Sequence, residues 1–305
     1  MKDLLGIEEL TRQDMERYLA TAVDLKARLR QGAKKMAVLS GRVVVTLFLE
    51  ASTRTRTSFE LAGRFLGAHV QSFALAQSSV DKGETLVDTA RALDAMAVDA
   101  IVVRHAVAGV PHDLARRLEA AVVNAGDGWH EHPTQALLDA LTILERRGRV
   151  EGQRIAILGD IRHSRVARSA MLAYGGLGAS VTVFGPATLV PEGVEAYGAE
   201  VATSLEAALA GADVVQVLRI QRERMHAGLI PSLEEYHRRF GLTQERLRLA
   251  RPDAVVMHPG PVNRGVEIES RVADGPRSAV MQAVENGVAM RMAVLCHLLG
   301  EGGSR

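Results

Sequence analysis

The sequence predicts an α/β protein of two doubly wound domains, each a parallel sheet flanked by helices, with a C-terminal helix that returns to the first domain. Three observations lead to this prediction. Short β-rich runs alternate with helical patterns, which is typical of parallel sheets. A polar stretch, "RRGRVEGQ", separates two such series. The 305 residues, 47% hydrophobic and 24% charged, are enough for two ordinary globular domains.

Eight β-rich runs are predicted strands, a number that alone fits either one sheet or two. The runs are 42–49, 69–75, 100–105, 121–126, 154–160, 180–185, 213–218 and 253–258. Helical stretches between them include 85–96, 133–148 and 204–212, and a long apolar helix begins near 278. We place the first domain at 1–132 together with the C-terminal helix 278–305, and the second at 133–277. The segment 219–241 is long, polar and free of predicted strands, and is either a binding loop or a plain surface excursion.

The charge balance leaves no global field, with 37 Lys and Arg against 36 Asp and Glu. We expect no nucleic acid and no membrane among the partners, so any basic site is local. The single cysteine, Cys296, allows no intrachain disulfide and indicates a cytoplasmic protein; we expect it to be a small buried hydrophobe. The N-terminus does not read as a signal peptide, and no run approaches the ~18 apolar residues of a membrane span.

Arginine, histidine and hydroxyl residues follow almost every predicted strand. In open α/β sheets, ligands bind beyond the carboxyl ends of the strands. A site built from these ends would be strongly cationic in a nearly neutral protein, which indicates substrates with several negative charges. The segments are "EASTRTRTSFE", "RH" at 104–105, "DGWHEHPTQ", "IRHSRVARS", "RIQRER" and "HPGPVNR".

The stretch "STRTRTSFE", residues 52–60, predicts a helix that begins near Thr53 with Ser52 as its N-cap. Arg54 and Arg56 have the wrong charge for a helix N-terminus, which favours acids. Free N–H groups, hydroxyls and guanidinium groups at one point instead predict a phosphate site. The G-x-x-x-x-G-K spacing of a Walker loop is absent. The alternative, a solvated helix start with incidental arginines, leaves the charge conflict unexplained.

"STRTR" followed by "SFE", and then "HPTQ", resembles the aspartate/ornithine carbamoyltransferase family, and the resemblance covers nearly the whole chain. Further matching pieces occur in the family's order: "KGET", "RH", "GD…SRVARS", "RIQRER", "HPGPVNR" and "ENGVAMRMAVL". The sequence has "HPGPVNR" where the ornithine branch carries an "HCLP"-type motif, and "RIQRER" suits a dicarboxylate. It therefore resembles the aspartate branch, with the ornithine branch as the alternative.

The resemblance implies transfer of the carbamoyl group of carbamoyl phosphate to the amine of L-aspartate, an early step of de novo pyrimidine biosynthesis that needs no cofactor. The products would be N-carbamoyl-L-aspartate and phosphate. The implied carbamoyl-phosphate-binding residues are Ser52, Thr53, Arg54, Thr55, Arg104, His132, Gln135, Pro259 and Gly260. Five of these are implied to be catalytic, namely Arg54, Thr55, Arg104, His132 and Gln135.

Within this set, Thr55, Arg104 and His132 would contact the carbonyl oxygen, where an oxyanion develops on attack. Gln135 would bind the carbamoyl nitrogen, and the backbone at Pro259 and Gly260 would accept hydrogen bonds from the same NH2 group.

The resemblance assigns L-aspartate to Arg165, Arg219 and Gln221, since arginine binds carboxylates in a bidentate manner. Val166 stands where some relatives have a threonine, which removes a hydroxyl contact there and leaves the arginine. Glu50 would bridge to Arg165 and Arg224 when the domains close.

Ser78 and Lys82 would reach into a neighbouring subunit's site, which implies a homotrimer with shared active sites. Read from the sequence alone, their loop is equally well a solvated surface loop. The sequence leaves open a regulatory chain or a dihydroorotase partner.

Other classes of protein fit the sequence less well. A nicotinamide enzyme is suggested by "AILGDIRHS", which lacks G-x-G-x-x-G. A non-catalytic anion-binding protein would explain the arginines but not their convergence at several strand ends. His130 and His132 flank Glu131, but their i, i+2 spacing does not suit one helix face, so we predict no metal.

Overall fold

The structure is a computed structural model that describes residues 1–74, 85–221, 228–230 and 232–300. It divides into two compact units, the first formed by residues 1–138 with the chain from Glu285 onward, and the second by Asp139–Val284. The predicted domain limits, at 132 and 277, fall a few residues before these divisions. Among the described residues, no helix is long and apolar enough to cross a membrane.

The first unit contains, within its described residues, a four-stranded parallel sheet in the order β2-β1-β3-β4. The middle strands consist largely of buried Val, Ile and Leu, as expected where helices cover both faces of a sheet. Its strands are β1 (Val43–Phe48), β2 (His69–Ala74), β3 (Ala100–His105) and β4 (Ala121–Asp127). Its helices are α1 (Arg12–Arg30), α2 (Thr53–Phe65), α3 (Leu86–Ala95), α4 (Val110–Ala115) and the start of α5 (Pro133–Arg147).

The second unit contains, as far as it is described, a five-stranded parallel sheet in the order β7-β6-β5-β8-β9. The strands are β5 (Arg154–Leu158), β6 (Ser180–Phe184), β7 (Ala199–Val201), β8 (Val214–Val217) and β9 (Val255–Met257). The helices are α6 (Arg165–Gly176), α7 (Leu205–Leu209), α8 (Leu233–Phe240), α9 (Gln244–Leu247) and α10 (Ser270–Ala273), with two 3-10 turns at Ala187–Leu189 and Val194–Tyr197. The prediction missed β7, and α8 lies inside the segment predicted to be free of strands.

The last helix, α11 (Val280–Leu299), belongs to the first unit from Glu285 onward, which confirms the predicted return of the chain. The buried ammonium of Lys26 donates to Asn286. The hydroxyl of Thr21 lies 2.8 Å from Nε2 of His297, and the Arg291 guanidinium lies 5.1 Å from the ring centroid of Phe59. These polar contacts fix the position of an otherwise apolar helix against α1 and α2.

Candidate functional site

The N-terminus of α2 follows the carboxyl end of β1. The helix begins at Thr53 with Ser52 in the N-cap position, as the sequence predicts. The Ser52 side chain makes no capping hydrogen bond, and the first turn of this described helix contains no acid. The Ser52 hydroxyl therefore does not cap the N-terminal N–H groups of α2, which are groups of the kind that bind anions at helix N-termini.

Other described helices with a serine or threonine N-cap differ from α2. In each of them the capping hydroxyl accepts a backbone N–H at 3.0 to 3.2 Å. These capping residues are Thr11, Thr85, Ser164, Ser204, Ser232 and Thr243. The open N-terminus of α2 is therefore a local feature and not a general property of the fold.

The two arginines of this stretch have different surroundings. Arg56 is half-buried, and its Nε lies 3.7 Å from Oε1 of Glu60, one turn along α2. Glu60 in turn accepts a hydrogen bond from Ser72 on β2. Arg54 is exposed in the first turn, next to the buried Thr55. Arg56 thus supports the packing of α2 on the sheet, while Arg54 is directed to the surface at the helix start.

Arg104 is the second-last residue of β3 and lies beside the end of β1, since the parallel register pairs it with Phe48. Its Nη2 donates to Oε1 of Glu50 at 2.8 Å, and its Nη1 donates to the carbonyl of Ala125 at 3.3 Å. Glu50 lies in the connection between β1 and α2. The predicted role of Glu50 in domain closure stays a prediction, and in the structure this carboxylate orients Arg104.

Asp127, at the end of β4, is a fully buried carboxylate that the sequence prediction missed. Its Oδ2 accepts the N–H of Gly109 at 2.7 Å and lies 3.1 Å from Nδ1 of His130. Its Oδ1 accepts from the Asn124 side chain at 2.8 Å and from the N–H of Glu131 at 3.1 Å. Burial alone would raise the pKa of Asp127, but the hydrogen bonds from His130, Asn124 and the backbone outweigh it and lower the pKa.

Glu131 ties the same loop to the N-terminal segment. Its buried carboxylate accepts the N–H of Ile7 at 2.9 and 3.0 Å and the N–H of Glu8 at 3.3 Å. His132 follows, is buried, and precedes α5, so it does not lie within the helix; its carbonyl accepts the N–H of Gln135 at 2.9 Å. Asp127 and Glu131 therefore hold the loop that presents His132.

This loop also contains side chains of the types that bind metal ions. Donor atoms of His112, Asp127 and His130 lie within 4.8 Å of one another, as do those of Glu8, His130 and Glu131. The sequence prediction considered only His130 and His132 and could not foresee that α4 brings in His112. Both oxygens of Asp127 already lie within hydrogen-bonding distance of two nitrogens each, so a metal would have to displace those partners. The prediction of no metal stays a prediction.

In the second unit, Asp160 connects two predicted substrate-binding segments. This buried carboxylate follows β5 and accepts the backbone N–H of His163 at 3.1 Å, and its Oδ1 lies 2.9 Å from Nδ1 of that ring. It also accepts the backbone N–H of Gln221. Burial raises its pKa, although these hydrogen bonds act in the opposite direction. Asp160 thereby joins the start of α6, where the buried Arg165 lies, to the segment after β8.

The segment after β8 places Arg219 and Gln221 half-buried on either side of the buried Ile220. The turn after β9 contains Pro259 and Gly260, both half-buried. Three predicted site residues, Ser78, Lys82 and Arg224, lie outside the described residues.

The described candidate residues lie at or just beyond the carboxyl ends of parallel strands, where α/β proteins of this open-sheet class bind their ligands. Two family models match the chain. The "Aspartate/ornithine carbamoyltransferase, carbamoyl-P binding domain" matches residues 2–145, and the "Aspartate/ornithine carbamoyltransferase, Asp/Orn binding domain" matches residues 151–298.

Curated relatives match over nearly their full length. The chain is 60% identical over 294 residues to an aspartate carbamoyltransferase catalytic subunit of Beijerinckia indica, covering 96% of this chain and 93% of the relative. It is 57% identical over 304 residues to the subunit of the same name from Pelotomaculum thermopropionicum, covering 100% and 98%.

Solved structures of both branches are also similar. Aspartate transcarbamoylase from Trypanosoma cruzi, in complex with carbamoyl phosphate and aspartate, superimposes with a TM-score of 0.88 at 32% identity, covering 98% of this chain and 97% of that one. Ornithine carbamoyltransferase from Thermus thermophilus gives 0.85 at 28% identity, covering 98% and 99%. The chain belongs to the aspartate/ornithine carbamoyltransferase family.

Proposed function

We propose that the protein transfers the carbamoyl group of carbamoyl phosphate to the amine of L-aspartate, giving N-carbamoyl-L-aspartate and phosphate. The observation that carries this proposal is the start of α2, where the Ser52 side chain makes no capping hydrogen bond and Arg54 stands in the first turn. Relatives 53 to 60% identical, all named aspartate carbamoyltransferase catalytic subunit, support it.

In this proposal the first unit binds carbamoyl phosphate. The phosphate accepts hydrogen bonds from N–H groups at the start of α2 and from Ser52, Thr53 and Thr55, and Arg54 pairs with its charge. Arg104 and His132, with Thr55, donate to the carbonyl oxygen. Their donors are set before the reaction, so they stabilise the oxyanion of the tetrahedral intermediate at little reorganisation cost.

The carbamoyl nitrogen is held by neutral polar groups. Its NH2 donates to the side chain of Gln135 and to the backbone carbonyls of Pro259 and Gly260. These acceptors fix the orientation of the carbamoyl group. Its electrophilic carbonyl carbon then faces the amine that attacks it.

L-Aspartate is bound by Arg165, Arg219 and Gln221, with the guanidinium groups pairing with its two carboxylates. Carbamoyl phosphate binds first, and the neutral amine of aspartate then attacks the carbonyl carbon. The C–N bond forms, the C–O bond to phosphate breaks, and a phosphate oxygen takes the proton from the amine. Positioning and electrostatic stabilisation supply most of the rate in this scheme.

Shape alone does not distinguish aspartate from ornithine as the acceptor, because structures of both branches superimpose about equally well. The arginines of the second unit favour an acceptor with two carboxylates. The test is formation of acid-stable ureido product by the purified protein with each acceptor in turn. The proposal requires product from L-aspartate and none from ornithine; product from ornithine alone would contradict it.

We extend the proposal to the setting of the reaction: an early step of de novo pyrimidine biosynthesis, in the cytoplasm, by a homotrimer in which Ser78 and Lys82 serve a neighbouring site. The support is the resemblance to the family. Mixing two inactive variants, Lys82→Ala and Arg54→Ala, tests the shared site, because mixed trimers would regain activity. Failure of the mixture to regain activity would contradict the sharing of active sites between subunits.

The mass of the particle purified with its native partners would show whether a regulatory chain or dihydroorotase binds.

A further inference from the structure

The turn after β9, residues 258–261, is supported by a buried histidine and a buried carboxylate. The side chains of His258 and Glu267 are both 0% exposed. The N–H of Gly260 donates to Nδ1 of His258 at 2.8 Å. Nε2 of the same ring lies 3.2 Å from Oε1 of Glu267. A ring nitrogen that accepts a hydrogen bond has no proton, so the proton is on Nε2 and Glu267 accepts it.

Glu267 also reaches a second segment. Its Oε1 accepts the N–H of Asn263 at 2.5 Å. The Asn263 side chain donates to the carbonyl of Ile220 at 3.4 Å, and Ile220 stands between Arg219 and Gln221. One buried carboxylate therefore connects the turn after β9 with the segment after β8, both within the second unit.

The backbone at Gly260 needs such support. Its φ is 64°, in the left-handed region that favours glycine, and glycine loses more conformational freedom on ordering than any other residue. The hydrogen bond to His258 is a local constraint on this peptide. The carboxylate of Glu267, which accepts from Nε2, makes Nδ1 of the same ring a stronger acceptor for this hydrogen bond.

We propose that Glu267 is a positioning residue: it selects the tautomer of His258, and His258 holds the N–H of Gly260 and so orients the carbonyls of Pro259 and Gly260. This inference rests on the proposed function, in which those carbonyls accept hydrogen bonds from the carbamoyl NH2 group. Glu267 itself touches neither substrate, so its effect passes through the ring.

Two substitutions of His258 separate the two ends of this chain of hydrogen bonds. His258→Asn places an amide oxygen near Nδ1, which keeps an acceptor for Gly260 but does not reach Glu267. His258→Gln places an amide nitrogen near Nε2, which keeps a donor to Glu267 but leaves the Gly260 N–H without its acceptor. We expect the KM for carbamoyl phosphate to rise about tenfold in His258→Gln and less in His258→Asn, with a smaller change in kcat.

Glu267→Gln tests the carboxylate directly. We expect about a fivefold rise in the KM for carbamoyl phosphate in the otherwise unchanged protein, and no further rise when the same substitution is added to His258→Asn. Asp274→Asn, which breaks an exposed ion pair with Arg264 in the same segment, is the matched control and should leave both kinetic constants unchanged. A Glu267→Gln variant with unchanged KM, or an undiminished effect in the His258→Asn background, would overturn the proposal.

A readout independent of activity keeps this inference separate from the proposed function. In protein labelled with 15N-histidine, the ring nitrogen chemical shifts of His258 should show a protonated Nε2 and an unprotonated Nδ1. In Glu267→Leu the ring should no longer be held in one tautomer, and the shifts of both tautomers should appear. The opposite tautomer in the unsubstituted protein would overturn the inference, even if carbamoyl aspartate is formed. Absence of carbamoyl aspartate together with the expected tautomer would overturn the proposed function and, with it, the role of Glu267 toward substrate.

Discussion

Replacement of Asp127 by asparagine removes a charged acceptor from the loop that presents His132. The new side-chain amide would place its NH2 group toward His130, since that ring can change tautomer and accept. The N–H of Gly109, which now donates to Asp127 at 2.7 Å, then loses its acceptor in a partly buried site. A buried donor left unsatisfied costs about 1–3 kcal/mol, and the remaining hydrogen bonds lose their charge assistance. We expect a loss of about 2–4 kcal/mol in the free energy of unfolding.

This loss is measurable in two ways. For a unit of this size it corresponds to a fall in Tm of about 5–15 °C, followed by circular dichroism. The pH dependence gives a second readout, because the pKa of Asp127 is lower in the folded protein than in the unfolded chain. Its carboxylate stabilises the fold above the unfolded pKa of about 3.9, and this stabilisation is lost as the pH falls through the folded pKa. The difference in stability between the natural protein and the variant should therefore narrow below about pH 4.

The control for this experiment is Asp113→Asn, since Asp113 forms only exposed pairs with Arg116 and Arg117 among the described residues. Its Tm should match that of the natural protein. An Asp127→Asn variant with unchanged Tm and unchanged kcat would refute the reasoning that this carboxylate holds the loop.

Three further predictions concern other buried or half-buried groups. Burial raises the pKa of the Cys296 thiol to about 11, so alkylation by iodoacetamide at about pH 8 should be much slower than for free cysteine and should accelerate as the pH approaches 11. Asn286→Leu removes an acceptor from the buried Lys26 and should destabilise the fold by about 3 kcal/mol in urea, and adding Lys26→Met should recover most of that loss. Glu50→Gln should cost about 1 kcal/mol by the same measurement, because it weakens the 2.8 Å contact to Arg104.

The strands were predictable from the sequence because parallel strands are short apolar runs between helices. The pattern found β1 and β3 within a residue or two of their observed bounds. It missed β7, which has three residues and only one buried side chain, Ala199. A strand at the edge of a sheet contributes too few apolar positions for a pattern to detect.

The candidate site was predictable only in part. The sequence indicated the start of α2 because Arg54 and Arg56 conflict with a helix dipole, and the structure adds that the Ser52 side chain makes no capping hydrogen bond. Asp127 and Glu267 could not be recognised, because their partners come from distant segments or depend on a backbone turn. Hydrogen bonds of this kind are products of tertiary structure and leave no periodic signal in a sequence.

The central claim is that the start of α2 binds the phosphate of the substrate. The most direct test is the Kd of the bisubstrate analogue N-(phosphonacetyl)-L-aspartic acid, measured by calorimetry for the natural protein, Arg54→Ala and Arg64→Ala. This analogue is bound in a solved structure of the Trypanosoma cruzi relative. Arg64 lies in the last turn of the same helix and serves as the matched control. We predict a loss of affinity on the order of 100-fold in Arg54→Ala, with no change in Arg64→Ala. Equal affinity in the natural protein and in a folded Arg54→Ala variant would contradict the claim.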